Sequence, residues 1–129
     1  MGTKIVIRTD RAPGPFQGAP YNQAIRVGDL VFVAGQLGTS LETGQLAGSS
    51  VEEQTEQIMR NLGAILDAAG SGLDKLVKTT VFLLDLADFA GMNEVYAKYV
   101  GDQPPARATV EVAKLPSGAL VEIEAVATV

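Results

Sequence analysis

Cysteine and histidine are both missing from this sequence of 129 residues. Without cysteine there is no disulfide, no thiolate nucleophile and no redox clue to a compartment. Without histidine the Ser-His-Asp and Cys-His triads, the imidazole general base and the common zinc sites are closed off. No apolar run approaches the length of about 18 residues that a membrane span needs, and no charged, apolar and small-residue leader opens the chain. The expectation is a soluble, cytoplasmic protein. Basic residues are scarce, ten against fifteen acidic ones for a net charge of −5, and they are scattered. That balance speaks against nucleic acid as a partner, because neutralising phosphates takes clustered Lys and Arg. A Ser-Lys dyad is formally available, but no serine sits in a nucleophile motif. The glycines form neither a phosphate loop ending in Lys-Ser or Lys-Thr nor a GxGxxG turn.

What is present reads as one domain spanning residues 1–129. Lys4 to Arg8 is a short strand, and the Pro- and Gly-rich stretch from Asp10 to Pro20 is an irregular loop. Gly28-Asp29 separates the apolar runs Ala24–Val27 and Leu30–Ala34, which predicts a two-residue hairpin of type II′. Residues 35–49 read as a surface loop with a turn at Glu42-Thr43-Gly44. Ser50-Val51-Glu52-Glu53 is a capping box that opens a helix. Its buried stripe is Val51, Thr55, Ile58, Leu62, Ile65 and Ala69, and Gly70 and Gly72 are available for a left-handed cap. Leu76 to Leu84 has the profile of an interior strand. A second helix follows, capped by Asp85 or Asp88, with Phe89, Met92, Val95, Tyr96 and Tyr99 on its buried side. Asn93 is out of place within it, since a helical Asn either faces water or needs partners for its amide.

The residues able to do chemistry gather near the end of the chain. Residues 106–112 alternate, with Ala108, Val110 and Val112 expected to bury while Arg107, Thr109 and Glu111 face the other way. Residues 120–126 alternate as well, setting Glu122 and Glu124 opposite Val121, Ile123 and Ala125. The turn signal Pro116-Ser117-Gly118 predicts that these two strands pair antiparallel, and coinciding polar faces would bring Arg107 to a carboxylate. Pro104 and Pro105 stiffen the entry to Arg107. The pattern alone leaves two readings open: a solvated ion pair worth about 0 to 1 kcal/mol, or a ligand clamp. The element order predicts an α+β domain with two helices on one face of a mixed sheet. No segment remains to cover the other face, so a homo-oligomer is expected.

An ordered set of short pieces spans essentially the whole chain: Pro20-Tyr21 with Gln23-Ala24, Ala34-Gly35-Gln36, Glu42-Thr43-Gly44, residues 77–82 (VKTTVF), Asp88-Phe89, Asn93-Glu94-Val95-Tyr96, Pro105-Ala106-Arg107, and Leu115-Pro116 followed by residues 121–125 (VEIEA). In this set the chain resembles the RidA (YjgF) family, the small imine deaminases whose older label is endoribonuclease L-PSP. The resemblance implies a chorismate-mutase-like fold, a homotrimer with sites in the clefts between subunits, and no metal or cofactor. It implies hydrolysis of reactive 2-imino acids and enamines, such as 2-iminopropanoate derived from 2-aminoacrylate, to 2-oxo acids and ammonia, with small imino or 2-oxo acids as the partners. It implies that Arg107 binds the substrate carboxylate, that Glu122 places or activates water, that Tyr21 and Asn93 line the pocket, and that the backbone at Gly35 lies against the ligand. Thr109 falls where several members have cysteine and joins this binding set. An imine is already electrophilic, so orientation and a positioned water suffice without an activated nucleophile. Ala34 stands where the family often has serine, and the loop before Tyr21 is about two residues longer than is common, adding Phe16 and Gln17. Two other functions stay open: a sensor binding a 2-oxo acid without turnover, and, against the acidic charge and missing histidine, an endoribonuclease.

Overall fold

A computed structural model describes residues 2–129. Six strands form one sheet: β1 (Ile5–Ile7), β2 (Ala24–Val27), β3 (Leu30–Leu37), β4 (Leu76–Leu83), β5 (Ala106–Glu111) and β6 (Val121–Thr128). Two helices, α1 (Val51–Ala68) and α2 (Phe89–Val100), accompany them. The order across the sheet is β1-β2-β3-β6-β4-β5, antiparallel throughout except for the parallel pair β4 and β5. A parallel pair needs a crossover, and α2 supplies it.

Locally the chain follows its own signals. Val27 pairs with Leu30 across Gly28-Asp29, and positive φ occurs at Gly28 (58°) but not at Asp29, as a type II′ turn requires. Both halves of the capping box form: Ser50 Oγ accepts from Glu53 N at 3.1 Å, while Glu53 Oε1 accepts from Ser50 N at 3.3 Å. The whole predicted stripe of α1 is buried. The helix ends in a Schellman motif, Ser71 N donating to Leu66 O and Gly70 N to Asp67 O. Gly70 alone adopts the left-handed conformation, at φ 79°, whereas Gly72 is extended. The loop before Tyr21 holds a tight turn at Phe16–Gly18, in which Gln17 is left-handed (φ 52°) rather than helical. β3 runs on through Gln36 to Leu37, with one residue more than β6 between the pairs Val33↔Ala125 and Gln36↔Ile123, so Ala34-Gly35 forms a bulge.

Four expectations fail, all of them about what lies beside what. β5 and β6 do not pair, because β4 lies between them. The predicted burial of β5 is inverted: Ala108 and Val110 are exposed, while Arg107 and Thr109 are half-buried. Arg107 is in register with Thr79 and, one strand further, with Ala125, both buried under the helices. Glu122 is in register with Phe82 on one side and Leu37 on the other, and alternates with the buried Val121 and Ile123. Side chains of neighbouring residues in a strand point to opposite faces. Arg107 therefore belongs to the helix-covered face and Glu122 to the open one. Phe89, predicted to be buried, is 43% exposed because it begins α2 at the free edge of the sheet.

The core fills the space between α1, α2 and the inner face, with Ile58, Leu62, Ile65, Val81, Leu83, Met92, Val121 and Ile123 fully enclosed. The opposite face carries Phe32 at 46% exposure and Val110 at 41%, and neither helix among the described residues lies over it.

Candidate active site

The expected site residues fall into two groups. The first is gathered at the β3 bulge. Tyr21, Gly35 and Glu122 line a cavity of about 340 Å³ with Phe16, Ala19, Ala34, Leu37 and Pro116. Glu122 approaches Gly35 closely: a Cβ built there would lie 2.9 Å from Cδ of that carboxyl group, so a larger residue would displace the side chain of Glu122. Tyr21 Oη accepts a hydrogen bond from Phe16 N at 2.5 Å, which occupies a lone pair and leaves the phenolic proton free to donate into the cavity. Burial raises the pKa of Glu122 above its ordinary 4.5, and the like charge of Glu124 raises it further. A carboxyl group perturbed in this way, in a cleft, is suited to proton transfer.

The second group lies under the free edge at β5. The guanidinium carbon of Arg107 is 4.9 Å from the ring centroid of Tyr96 and 5.5 Å from that of Phe89. The rings hold the flat cation by their faces. Among the described residues Arg107 takes part in no ion pair and donates no side-chain hydrogen bond, so its fork of donors is free for a planar carboxylate. Phe89, Asn93 and Tyr96 follow at four and three residues along α2, which puts Asn93 on the helix face that carries both rings. Asn93 does not simply face water: it is half-buried, and its Oδ1 is buried with no hydrogen-bond partner. Such an atom is a ready acceptor for a ligand donor. Thr109, two residues beyond Arg107 on the same side of β5, is half-buried and in register with Val81.

The groups that hold Arg107 were legible in the sequence only as core. Tyr96 and Phe89 read as apolar members of a helix stripe, and Thr79 as part of an interior strand. The one available signal was the pair of aromatics seven residues apart on either side of an out-of-place Asn. Among the described residues no cluster of three or more acidic side chains forms a metal-binding group. No helix among them is long and apolar enough to cross a membrane.

The fold is a sheet with two helices on one face, an unpaired Arg stacked on two aromatic rings and a half-buried carboxyl against a glycine bulge. The family model for endoribonuclease L-PSP matches residues 11–129. The chain therefore belongs to the endoribonuclease L-PSP family, which includes proteins named RidA. It is 50% identical over 125 residues to the chloroplastic Reactive Intermediate Deaminase A of Arabidopsis thaliana, covering 97% of this chain and 66% of that protein. It is 45% identical over 122 residues to the human 2-iminobutanoate/2-iminopropanoate deaminase, covering 95% of this chain and 88% of the human one. The crystal structure of RidA from an Antarctic Psychrobacter superposes with a TM-score of 0.92 at 43% identity, covering 97% of this chain and 99% of that one.

Proposed function

We propose that this protein is an imine deaminase that hydrolyses 2-imino acids, such as 2-iminopropanoate and 2-iminobutanoate, to 2-oxo acids and ammonia. Its sites are built between protomers of a homotrimer. The observation that carries this reading is the separation of Arg107 from Glu122 onto opposite faces of one sheet. One chain does not bring them together, whereas a neighbour docked on the uncovered face does. Arg107 and Asn93 of one protomer then bind the substrate carboxylate and a polar hydrogen, while Tyr21, Gly35 and Glu122 of the next face the C=N bond.

The chemistry needs little beyond this placement. Glu122, ionised, takes a proton from water as the water oxygen bonds to C2 and the π electrons of C=N pass to nitrogen; return of that proton to nitrogen gives a neutral carbinolamine. Glu122 then takes the hydroxyl proton and passes it to the amine nitrogen as the C–N bond breaks, releasing ammonia and leaving the C=O of the 2-oxo acid. Orientation of the electrophile against a positioned water supplies most of the rate, and a base with its pKa drawn toward neutrality supplies the remainder.

The test is complementation. Imino acids are generated in situ with an amino-acid oxidase, and their decay is followed with Arg107→Ala, with Glu122→Ala, and with the two variants refolded together. Each alone should be nearly inactive. Random mixed trimers hold some sites with both residues intact, and roughly a quarter of the wild-type activity should return. No recovery in the mixture would overturn the inter-subunit site. Binding of a 2-oxo acid by calorimetry, with no acceleration of imine decay, would favour a sensor.

A further inference from the structure

We infer that Phe16 is a specificity-determining residue, fitting the site to 2-imino acids whose side chains are neutral, apolar and longer than the methyl of 2-iminopropanoate. This rests on the deaminase reading above and adds the class of substrate. The cavity at Glu122 does not end at Phe16. A second cavity, of about 380 Å³, lies alongside it, and the two share Phe16, Tyr21, Gly35 and Leu37 as walls. None of the residues lining the second space is charged, so a charged side chain would find no counter-ion there. Two apolar side chains that the single chain leaves exposed, Phe16 at 39% and Leu41 at 53%, both line it. An apolar ligand group placed between them would remove that surface from water, at about 25 cal/mol per Å².

The backbone holds Phe16 in this position at some cost. Gln17 has φ 52°, in the left-handed region that residues with a Cβ rarely enter, and Gly18 follows at φ 67°. The turn is closed by Gly18 N donating to Pro15 O at 3.1 Å and Ala19 N to Phe16 O at 3.0 Å. Phe16 N is tied to Tyr21 Oη, a residue of the proposed site. Backbone strain of this kind gathers at ligand sites. A methyl group offers little apolar surface to the second space, whereas a side chain of leucine or methionine size offers much more to bury there.

The experiment compares kcat/KM for imino acids generated in situ from alanine, leucine, methionine and glutamate. Wild-type protein should favour the leucine- and methionine-derived substrates over the glutamate-derived one. Phe16→Ala should lower the leucine-to-alanine ratio of kcat/KM about tenfold, the scale on which apolar pockets discriminate. Leu41→Ala should move the ratio in the same direction, and Phe16→Leu, which keeps apolar bulk, should retain most of it. Thermal unfolding of each variant separates a lost fold from a lost preference. A ratio that stays constant in folded, active Phe16→Ala and Leu41→Ala overturns the assignment of Phe16 and leaves the deaminase reading intact. Wild-type protein that accelerates none of the imino acids overturns both.

Discussion

The hydroxyls of Thr79 and Tyr96 are 2.7 Å apart in the core, and each of these residues also touches the placement of Arg107. Thr79 is the strand partner of Arg107, and the ring of Tyr96 lies under its guanidinium. The bond thus locks the ring to the strand whose register sets the Arg. Tyr96→Phe keeps the ring but leaves the fully buried Thr79 hydroxyl unpaired, which should cost about 1 to 3 kcal/mol in urea unfolding. Adding Thr79→Val removes the orphan and should recover much of that loss, and the resulting double-mutant cycle measures the coupling. If the pair positions Arg107, KM rises severalfold in Tyr96→Phe with little change in kcat. A stability loss with KM untouched would make the bond structural only.

Arg107→Ala should lower kcat/KM at least tenfold, since truncating a charge that pairs with a buried ligand charge costs about 2 to 5 kcal/mol. Arg107→Lys should recover little. An ammonium offers no planar fork to a carboxylate and stacks less well on the rings of Tyr96 and Phe89. Wild-type rates in Arg107→Lys would show that charge alone suffices.

Gly35→Ala and Gly38→Ala separate activity from folding. At Gly35 the obstructing atoms belong to the end of the Glu122 side chain, which can swing away, so the variant should fold and lose activity. At Gly38 a Cβ would meet the backbone of Gln54 in α1, with O at 2.6 Å and Cα at 2.8 Å. Backbone of a helix does not yield so easily, and Gly38→Ala should lower Tm sharply. Equal Tm values for the two variants would contradict this account.

Glu122 sets two pH dependences of opposite kind. Its folded-state pKa is raised, so the folded protein holds this proton more tightly than the unfolded chain. The stabilising contribution is complete below the ordinary value of 4.5 and is lost as pH rises through the folded pKa. Glu122→Gln, neutral at every pH, should be more stable than the parent at neutral pH, with the difference shrinking as pH falls toward 4.5. Activity runs the other way. An ionised base gives a rate that falls on the acid side, with a limb above 4.5, and Glu124→Gln should move that limb to lower pH by removing the like charge. A limb that does not move in Glu124→Gln would assign it to another group.

The capping box at Ser50, the hairpin at Gly28 and the stripe along α1 were legible because each is decided by contacts within a few residues along the chain. The missing imidazoles and thiols closed off whole classes of chemistry, while the candidate site residues came from the motifs of the resemblance. The pattern of alternation in residues 106–112 was equally legible, but alternation states only that two faces differ. Which face meets the helices depends on what α2 presents there. The rings of Tyr96 and Phe89 cover the guanidinium of Arg107 on that side, while Ala108 and Val110 are left on the open one.

The sequence by itself thus determined the elements and the helix-on-sheet class. Only the tertiary structure decided that β6 inserts between β3 and β4, that Arg107 and Glu122 lie on opposite faces of one sheet, and that Phe16 lines two cavities. The reason is physical. Strand order and side-chain neighbours far apart along the chain are selected by burying the whole core at once, and no local window of residues carries that sum.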